Sequence, residues 1–203
     1  MTKLKRIAVT SEKGGVGKST LALNLAGALA EQGKTVLVDE DERIQSCLQW
    51  AELAPLPFEV VAPAQVEPAL LKGVKYLVVD SEGRPEVEDL LNLAKEFELV
   101  LIPCGVSRLE ISSTLKLWKR LRAEGTLENV RVVITKSAPV GRMGQEARDA
   151  LREAGVAVLE TVVRRYAAHE RAAENGGLVR DVRDPKADDA WQDILGVASE
   201  VSQ

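Results

Sequence analysis

Seven short β-rich runs recur along this chain, several of them continuous stretches of Val, Ile and Leu. They lie at Arg6–Thr10, Thr35–Asp39, Glu59–Ala62, Tyr76–Asp80, Leu99–Pro103, Val130–Thr135 and Val156–Thr161. Unbroken apolar runs of this length fit parallel strands covered on both faces. Longer stretches with helical apolar spacing separate them, at Lys18–Gln32, Gln45–Leu53, Pro85–Glu96, Glu110–Glu124, Gly144–Glu153, Tyr166–Asn175 and Lys186–Glu200. Gly33, Gly125, Gly155 and Gly176 stand where helix C-caps belong. The alternation predicts the α/β class: a doubly wound, mostly parallel sheet with helices on both faces. The 203 residues show no repeat, low-complexity tract or linker, so one domain spanning 1–203 is expected. Ligands on such sheets bind at the carboxyl ends of the strands.

The first run ends in Glu12-Lys13-Gly14-Gly15-Val16-Gly17-Lys18-Ser19-Thr20, and an apolar helical stretch follows at once. Strand, glycine loop and helix in that order make a phosphate-binding loop. Glycines let backbone N–H groups approach phosphate oxygens, and the helix N-terminus adds partial positive charge. Lys18 is then placed to reach the β/γ-phosphates and the Ser19 hydroxyl to ligate Mg²⁺. A glycine turn with no ligand would explain the glycines, but not two lysines and Ser-Thr at these offsets. The loop departs from G-x-x-x-x-G-K-[ST] at one position, where Glu12 replaces glycine, and it carries a second lysine, Lys13.

Two further runs end in carboxylates. Val38 leads into Asp39-Glu40-Asp41-Glu42-Arg43, four consecutive acids that a nearby Mg²⁺ would relieve of mutual repulsion. Tyr76-Leu77-Val78-Val79-Asp80 is an apolar strand ending in a carboxylate placed to hold Mg²⁺. Alone, each reads equally as a solvated loop or an ordinary strand end; beside the loop at 12–20 they acquire a chemical role.

Lys13-Gly-Gly-Val-Gly-Lys-Ser-Thr20 resembles the deviant Walker A loop of the ParA/MinD family of dimeric ATPases. Small ParA-type partition proteins without an N-terminal DNA-binding extension are the nearest pattern. The resemblance implies that ATP or ADP sits on Gly14, Gly15, Val16, Gly17, Lys18, Ser19 and Thr20. It implies that Lys13 crosses to the nucleotide of a facing subunit, so that ATP bridges a homodimer. The acidic segment is similar to the family's first switch, D-x-D-P-Q. Asp39 and Asp41 match its aspartates, and Asp41 inherits the water-orienting role. Lys13, Lys18 and Asp41 thus form the catalytic set, and Ser19, Asp41 and Asp80 the metal set. Glu42 and Arg43 replace Pro and Gln, which suggests either altered hydrolysis or a switch that only binds. Ser81-Glu82-Gly83-Arg84-Pro85 is similar to the second switch; Glu82 and Arg84 receive no catalytic role, a surface ion pair being the plain alternative. Lys136 and Arg164 are implied to flank the purine, with Arg164 where several relatives carry proline.

Charge bears on partners. The formal net charge is −4, which excludes a generally basic coat for nucleic acid, but residues 108–183 hold 15 basic and 10 acidic side chains. Lys116, Lys119 and Arg120 share one helix face, with Arg142, Arg164, Arg165 and Arg171 further on. Such a face is ordinarily a solvated one. Doubled in a dimer it would suit nonspecific DNA. Aromatic residues are 3% of the chain, so stacking on bases has little material, and Trp118 reads as core. The resemblance adds a ParB-like adaptor that stimulates hydrolysis. A MinD-like membrane ATPase would want a basic amphipathic C-terminal helix, and no Lys or Arg follows Lys186. A metabolic ligase of the same fold, such as dethiobiotin synthetase, would need a second chemical constellation, and none is evident. Cys47 and Cys104 lie far apart in no metal-binding pattern and read as buried thiols. His169, the only histidine, has no role in this reading. The expected setting is cytoplasmic and nucleoid-associated, with no membrane.

Overall fold

The structure, a computed structural model, describes residues 3–83, 85–125 and 127–203. Arg84, named above beside Glu82, lies outside them. In chain order the elements are β1 (Lys5–Val9), α1 (Lys18–Ala30), β2 (Thr35–Asp39), α2 (Ser46–Leu53), β3 (Glu59–Val61), β4 (Tyr76–Asp80), α3 (Val87–Glu96), β5 (Leu99–Cys104), α4 (Arg108–Glu124), β6 (Val130–Ser137), α5 (Met143–Glu153), β7 (Val158–Arg164), α6 (Ala167–Asn175) and α7 (Ala187–Ser202). The seven strands form one sheet, ordered β3-β2-β4-β1-β5-β6-β7, and every pairing is parallel.

The side-chain period of two sorts the strands onto two faces. On β1, Ile7 and Val9 join the core under α1 and α7, while Ala8 joins the one under α3, α4 and α5. Val36, Val38, Leu77 and Val79 build a third cluster. This double burial is why the strands read as unbroken apolar runs.

Helix α1 is buried from Leu21 through Leu29, because the C-terminal segment covers it. Leu178 lies so close that a Cβ on Gly27 would meet its methyls at 2.6 Å. Asn24, fully buried, donates to the Thr20 carbonyl at 2.9 Å and accepts from the Val179 N–H at 2.8 Å. The Trp50 indole donates to the Gly177 carbonyl at 2.9 Å, and the Trp191 and Ile194 stripe of α7 closes the layer.

Several element boundaries shift by one to three residues from expectation. Strand β7 begins two residues later and runs to Arg164, because Val156 is used in the turn after α5, where its N–H donates to Leu151. Strand β6 extends past Thr135 to Ser137, with Lys136 in a left-handed conformation (φ 55°). Of the four expected glycine caps, Gly155 and Gly176 have positive φ. Gly125 is extended, and a Cβ there would meet Leu91 at 2.8 Å, so close approach is its reason.

The Asn24 contacts carry a prediction. Asn24→Leu keeps the size but removes the acceptor, leaving the Val179 N–H buried without a partner. The expected cost is about 1–3 kcal/mol of stability, read as a lower urea midpoint at unchanged slope.

Candidate nucleotide site

The strand order explains the site. Because β1 lies between β4 and β5, with β2 beyond β4, the carboxyl ends of β1, β2 and β4 meet: Val9 pairs with Asp80, and Asp80 with Asp39. The glycine loop leaves β1 at that meeting point. Gly15 (φ 78°) and Gly17 (φ 91°) hold left-handed conformations that side chains resist, and a Cβ on Gly14 or Gly15 would point into open space. Helix α1 starts with no side-chain cap and no acid in its first turn, which leaves its positive end for an anion. The end of β6 braces the loop: the Thr135 hydroxyl donates to the Val16 carbonyl at 2.8 Å, and the Lys136 ammonium donates to the Gly15 carbonyl.

A cavity of about 500 Å³ lies over the loop, with Lys13, Lys18, Ser19, Asp41 and Arg43 on its walls. Lys18 Nζ is 2.6 Å from Asp80 Oδ1. Asp80 has no exposure to water. Burial pushes its carboxyl above the ordinary range, while the Lys18 ammonium and hydrogen bonds from Lys18, Ser19 and Cys47 pull it down. On its other oxygen, Oδ2, sits the Cys47 thiol at 3.3 Å. Burial, then the charges of Asp80 and Asp39, push that thiol well up, so it stays protonated.

The acidic loop divides its labour. Asp39, buried, accepts from the Asp41 N–H at 3.1 Å, the Cys47 N–H at 2.8 Å and the Leu48 N–H at 3.2 Å, which makes it the anionic cap of α2. Asp41 faces the cavity, and its Oδ1 accepts from the Ile44 N–H at 3.0 Å. Burial and the nearby Glu96 and Asp80 push Glu40 up. Glu42 is exposed, whereas Arg43 brings to the cavity a cation that sequence patterns did not foretell.

Lys13 also lines this cavity, yet its Nζ donates to the Leu109 carbonyl at 3.3 Å, at the start of α4. Glu12, in the glycine's place, is pushed up by burial and drawn back by Arg120 and Lys13.

A second, largely apolar cavity of about 150 Å³ continues from the first across Gly17, Thr20 and Lys136. Val16, Leu21, Arg164, Tyr166, His169 and Ile194 wall it. The Arg164 guanidinium is engaged elsewhere: it donates to Asp193 at 2.8 and 3.0 Å and lies over the Tyr166 ring at 5.2 Å. His169, unassigned in the sequence, has no hydrogen-bond partner on either ring nitrogen among the described residues, and burial pushes its imidazole toward the neutral form. Only its spacing after β7 could have pointed to it.

Together the cavities offer a cationic, N–H-rich end and an apolar end, the two halves of a nucleotide. Among the described residues no group of three or more His, Cys, Asp or Glu is placed to hold a metal. The hard oxygens of Ser19, Asp41 and Asp80 fit Mg²⁺, which takes one or two carboxylates and completes its shell with phosphate and water.

Of the basic surface, Lys116, Lys119, Arg120 and Arg142 are exposed. Arg164, Arg165 and Arg171 are paired with Asp193, Glu170 and Asp184, so the basic face is narrower than the residue count suggests. Trp118 is core, its indole donating to the Gly155 carbonyl at 3.1 Å. Both cysteines are buried and free. Among the described residues no helix is long and apolar enough to cross a membrane.

The chain is similar to known proteins over nearly its whole length. It is 33% identical to the maintenance of carboxysome distribution protein A of Gloeobacter kilaueensis, over 97% of this chain and 94% of that protein. It is 26% identical to protein ParA of Rhizobium radiobacter, over 87% and 86%. The fold matches the septum site-determining protein MinD of Pyrococcus horikoshii, solved with Mg-ADP, with a TM-score of 0.71 at 17% identity, covering 99% of this chain and 97% of that one. The model of the CobQ/CobB/MinD/ParA nucleotide binding domain matches residues 7–179, and the chain belongs to that family.

Proposed function

We propose that this protein is a Mg-ATP-dependent, dimerising ATPase of ParA type that positions a cargo over nonspecific DNA and hydrolyses ATP when a ParB-like adaptor stimulates it. The observation that carries the reading is the pair of lysines in one phosphate cavity, one bound to a buried carboxylate and the other only to a backbone carbonyl at the rim. A single nucleotide in this chain needs Lys18; Lys13 is surplus to it and suits a nucleotide held by a second copy.

In this reading the loop N–H groups and the α1 N-terminus take the phosphates, and Lys18 exchanges Asp80 for the β/γ-phosphates. Ser19, Asp41 and Asp80 would hold Mg²⁺, and the ion would supply neutralisation of the charge that develops on the phosphoryl group. Asp41 orients the attacking water. The apolar cavity takes the purine, with Lys136 spanning both cavities. Arg164, tied to Asp193, serves as wall more than as a direct base contact. Phosphoryl transfer here rests on positioning and electrostatics. The name of the Gloeobacter relative, maintenance of carboxysome distribution protein A, points to a carboxysome as cargo. The exposed cations of α4 support DNA as the track. The MinD-type alternative would engage lipid instead; the apolar stripe of α7 is spent against β7 and α1.

Binding to random-sequence DNA, titrated in salt, is expected only with ATP and not with ADP or no nucleotide. Its affinity should fall steeply with salt. Equal binding in all three states, or ATP-dependent binding to anionic liposomes in its place, would refute DNA as the track. Light scattering should show ATP converting monomer to dimer, and Lys13→Ala should retain ATP binding but remain monomeric. At saturating ATP and Mg²⁺, Asp41→Ala should slow single-turnover hydrolysis by about 100-fold or more.

A further inference from the structure

We infer that Cys47 is a positioning residue: its S–H holds Asp80 Oδ2, so that Oδ1 stays aimed at the metal and phosphate position once Lys18 has left it. The inference rests on the nucleotide reading above and adds to it a residue that neither the motif nor the family pattern assigned.

Cys47 is fully buried in the first turn of α2. Its Sγ lies 3.3 Å from Asp80 Oδ2 and 3.8 Å from the Ser19 carbonyl, while its backbone N–H donates to Asp39 Oδ2 at 2.8 Å. One residue therefore touches both carboxylates that end β2 and β4, and reaches the backbone of the metal-site serine. Lys18 donates to Asp80 Oδ1 and Cys47 to Oδ2, and the Ser19 hydroxyl also bonds to this carboxylate.

The division has a consequence when nucleotide binds. Phosphate draws Lys18 away, and Oδ1 loses its donor. The terminal torsion of an aspartate is broad and roughly two-fold, so it does not by itself fix the carboxylate plane. A partner must do so, and with Ser19 turned to the metal the thiol is the one left, on Oδ2. Without it the carboxylate can turn, and the oxygen offered to Mg²⁺ is no longer fixed. Partners of this kind behind a metal-holding carboxylate typically carry 10–100-fold in metal affinity.

A buried thiol can also be mere filling, since free Cys behaves as a small hydrophobe. Three substitutions separate the two roles. Cys47→Ser keeps a donor, Cys47→Val keeps the bulk without one, and Cys47→Ala removes both. The measurement is binding of a fluorescent ADP analogue while Mg²⁺ is titrated, with thermal melts to confirm that each variant is folded. Valine and alanine are expected to raise the Mg²⁺ needed for half-maximal effect by about 10-fold or more. Serine should stay near the parent, and affinity without Mg²⁺ should be the same in all four proteins.

A valine or alanine variant that titrates like the parent overturns the inference, and so does a serine variant shifted as far as valine. Should valine fail to fold, alanine against serine decides alone. A parent protein that binds no nucleotide, with or without Mg²⁺, overturns the nucleotide reading itself and this inference with it. A parent that binds while valine matches it overturns only the role of Cys47.

Discussion

The ion pair between Lys18 and Asp80 organises the centre of this protein. Asp80 has no contact with water, and a carboxylate in such a place stays charged only beside a cation or several donors. The pair draws the end of β4 to the start of α1, and so fixes the glycine loop between them. Removing one partner of a buried pair leaves an uncompensated charge, a loss of about 3–5 kcal/mol where it is complete. An arriving phosphate therefore competes with Asp80 for one ammonium, and the arrangement that is stable without nucleotide is the one that nucleotide must rearrange.

The sheet makes that competition possible. Residues 62 positions apart meet because β1 and β4 are parallel neighbours whose last residues, Val9 and Asp80, are in register. The same register aligns Asp39 with Asp80, so the cap of α2 and the carboxylate paired with Lys18 stand side by side. Asp39 spends its oxygens on three N–H groups and is structural. That division frees Asp41, two residues on, to face the cavity.

Most of this was legible in the sequence, and for identifiable reasons. The β1, β2 and β4 runs are apolar on both faces and bounded by charge, so their ends could be placed within a residue. The loop at 12–20 was legible because its glycines, lysines and hydroxyls answer to backbone geometry and phosphate chemistry at fixed offsets. Long-range pairing was not legible. No local pattern announces that Cys47 lies against Asp80, or that Arg164 is bound to Asp193 on a helix 29 residues later. His169 was passed over because a single histidine on a helix carries no period. Gly125 looked like a cap because glycine has two uses, positive φ and close approach, and sequence does not distinguish them.

The two lysines of the loop differ in what holds them, and that difference orders their use. Lys18 is matched by the full charge of a carboxylate closed to water, so it moves only for a ligand that offers comparable charge. A nucleoside triphosphate does so. Lys13 is held by one neutral carbonyl at 3.3 Å in an exposed setting, where a hydrogen bond contributes about 1 kcal/mol. Lys13 is thus released cheaply, and in the proposed dimer only after Lys18 has engaged is there a phosphate chain for a facing loop to find. Its release also detaches the loop from Leu109, in the first turn of the α4 helix on which Lys116, Lys119 and Arg120 are displayed. In the proposed function the strongly held lysine reads the nucleotide, and the weakly held one is left to report it to a second copy.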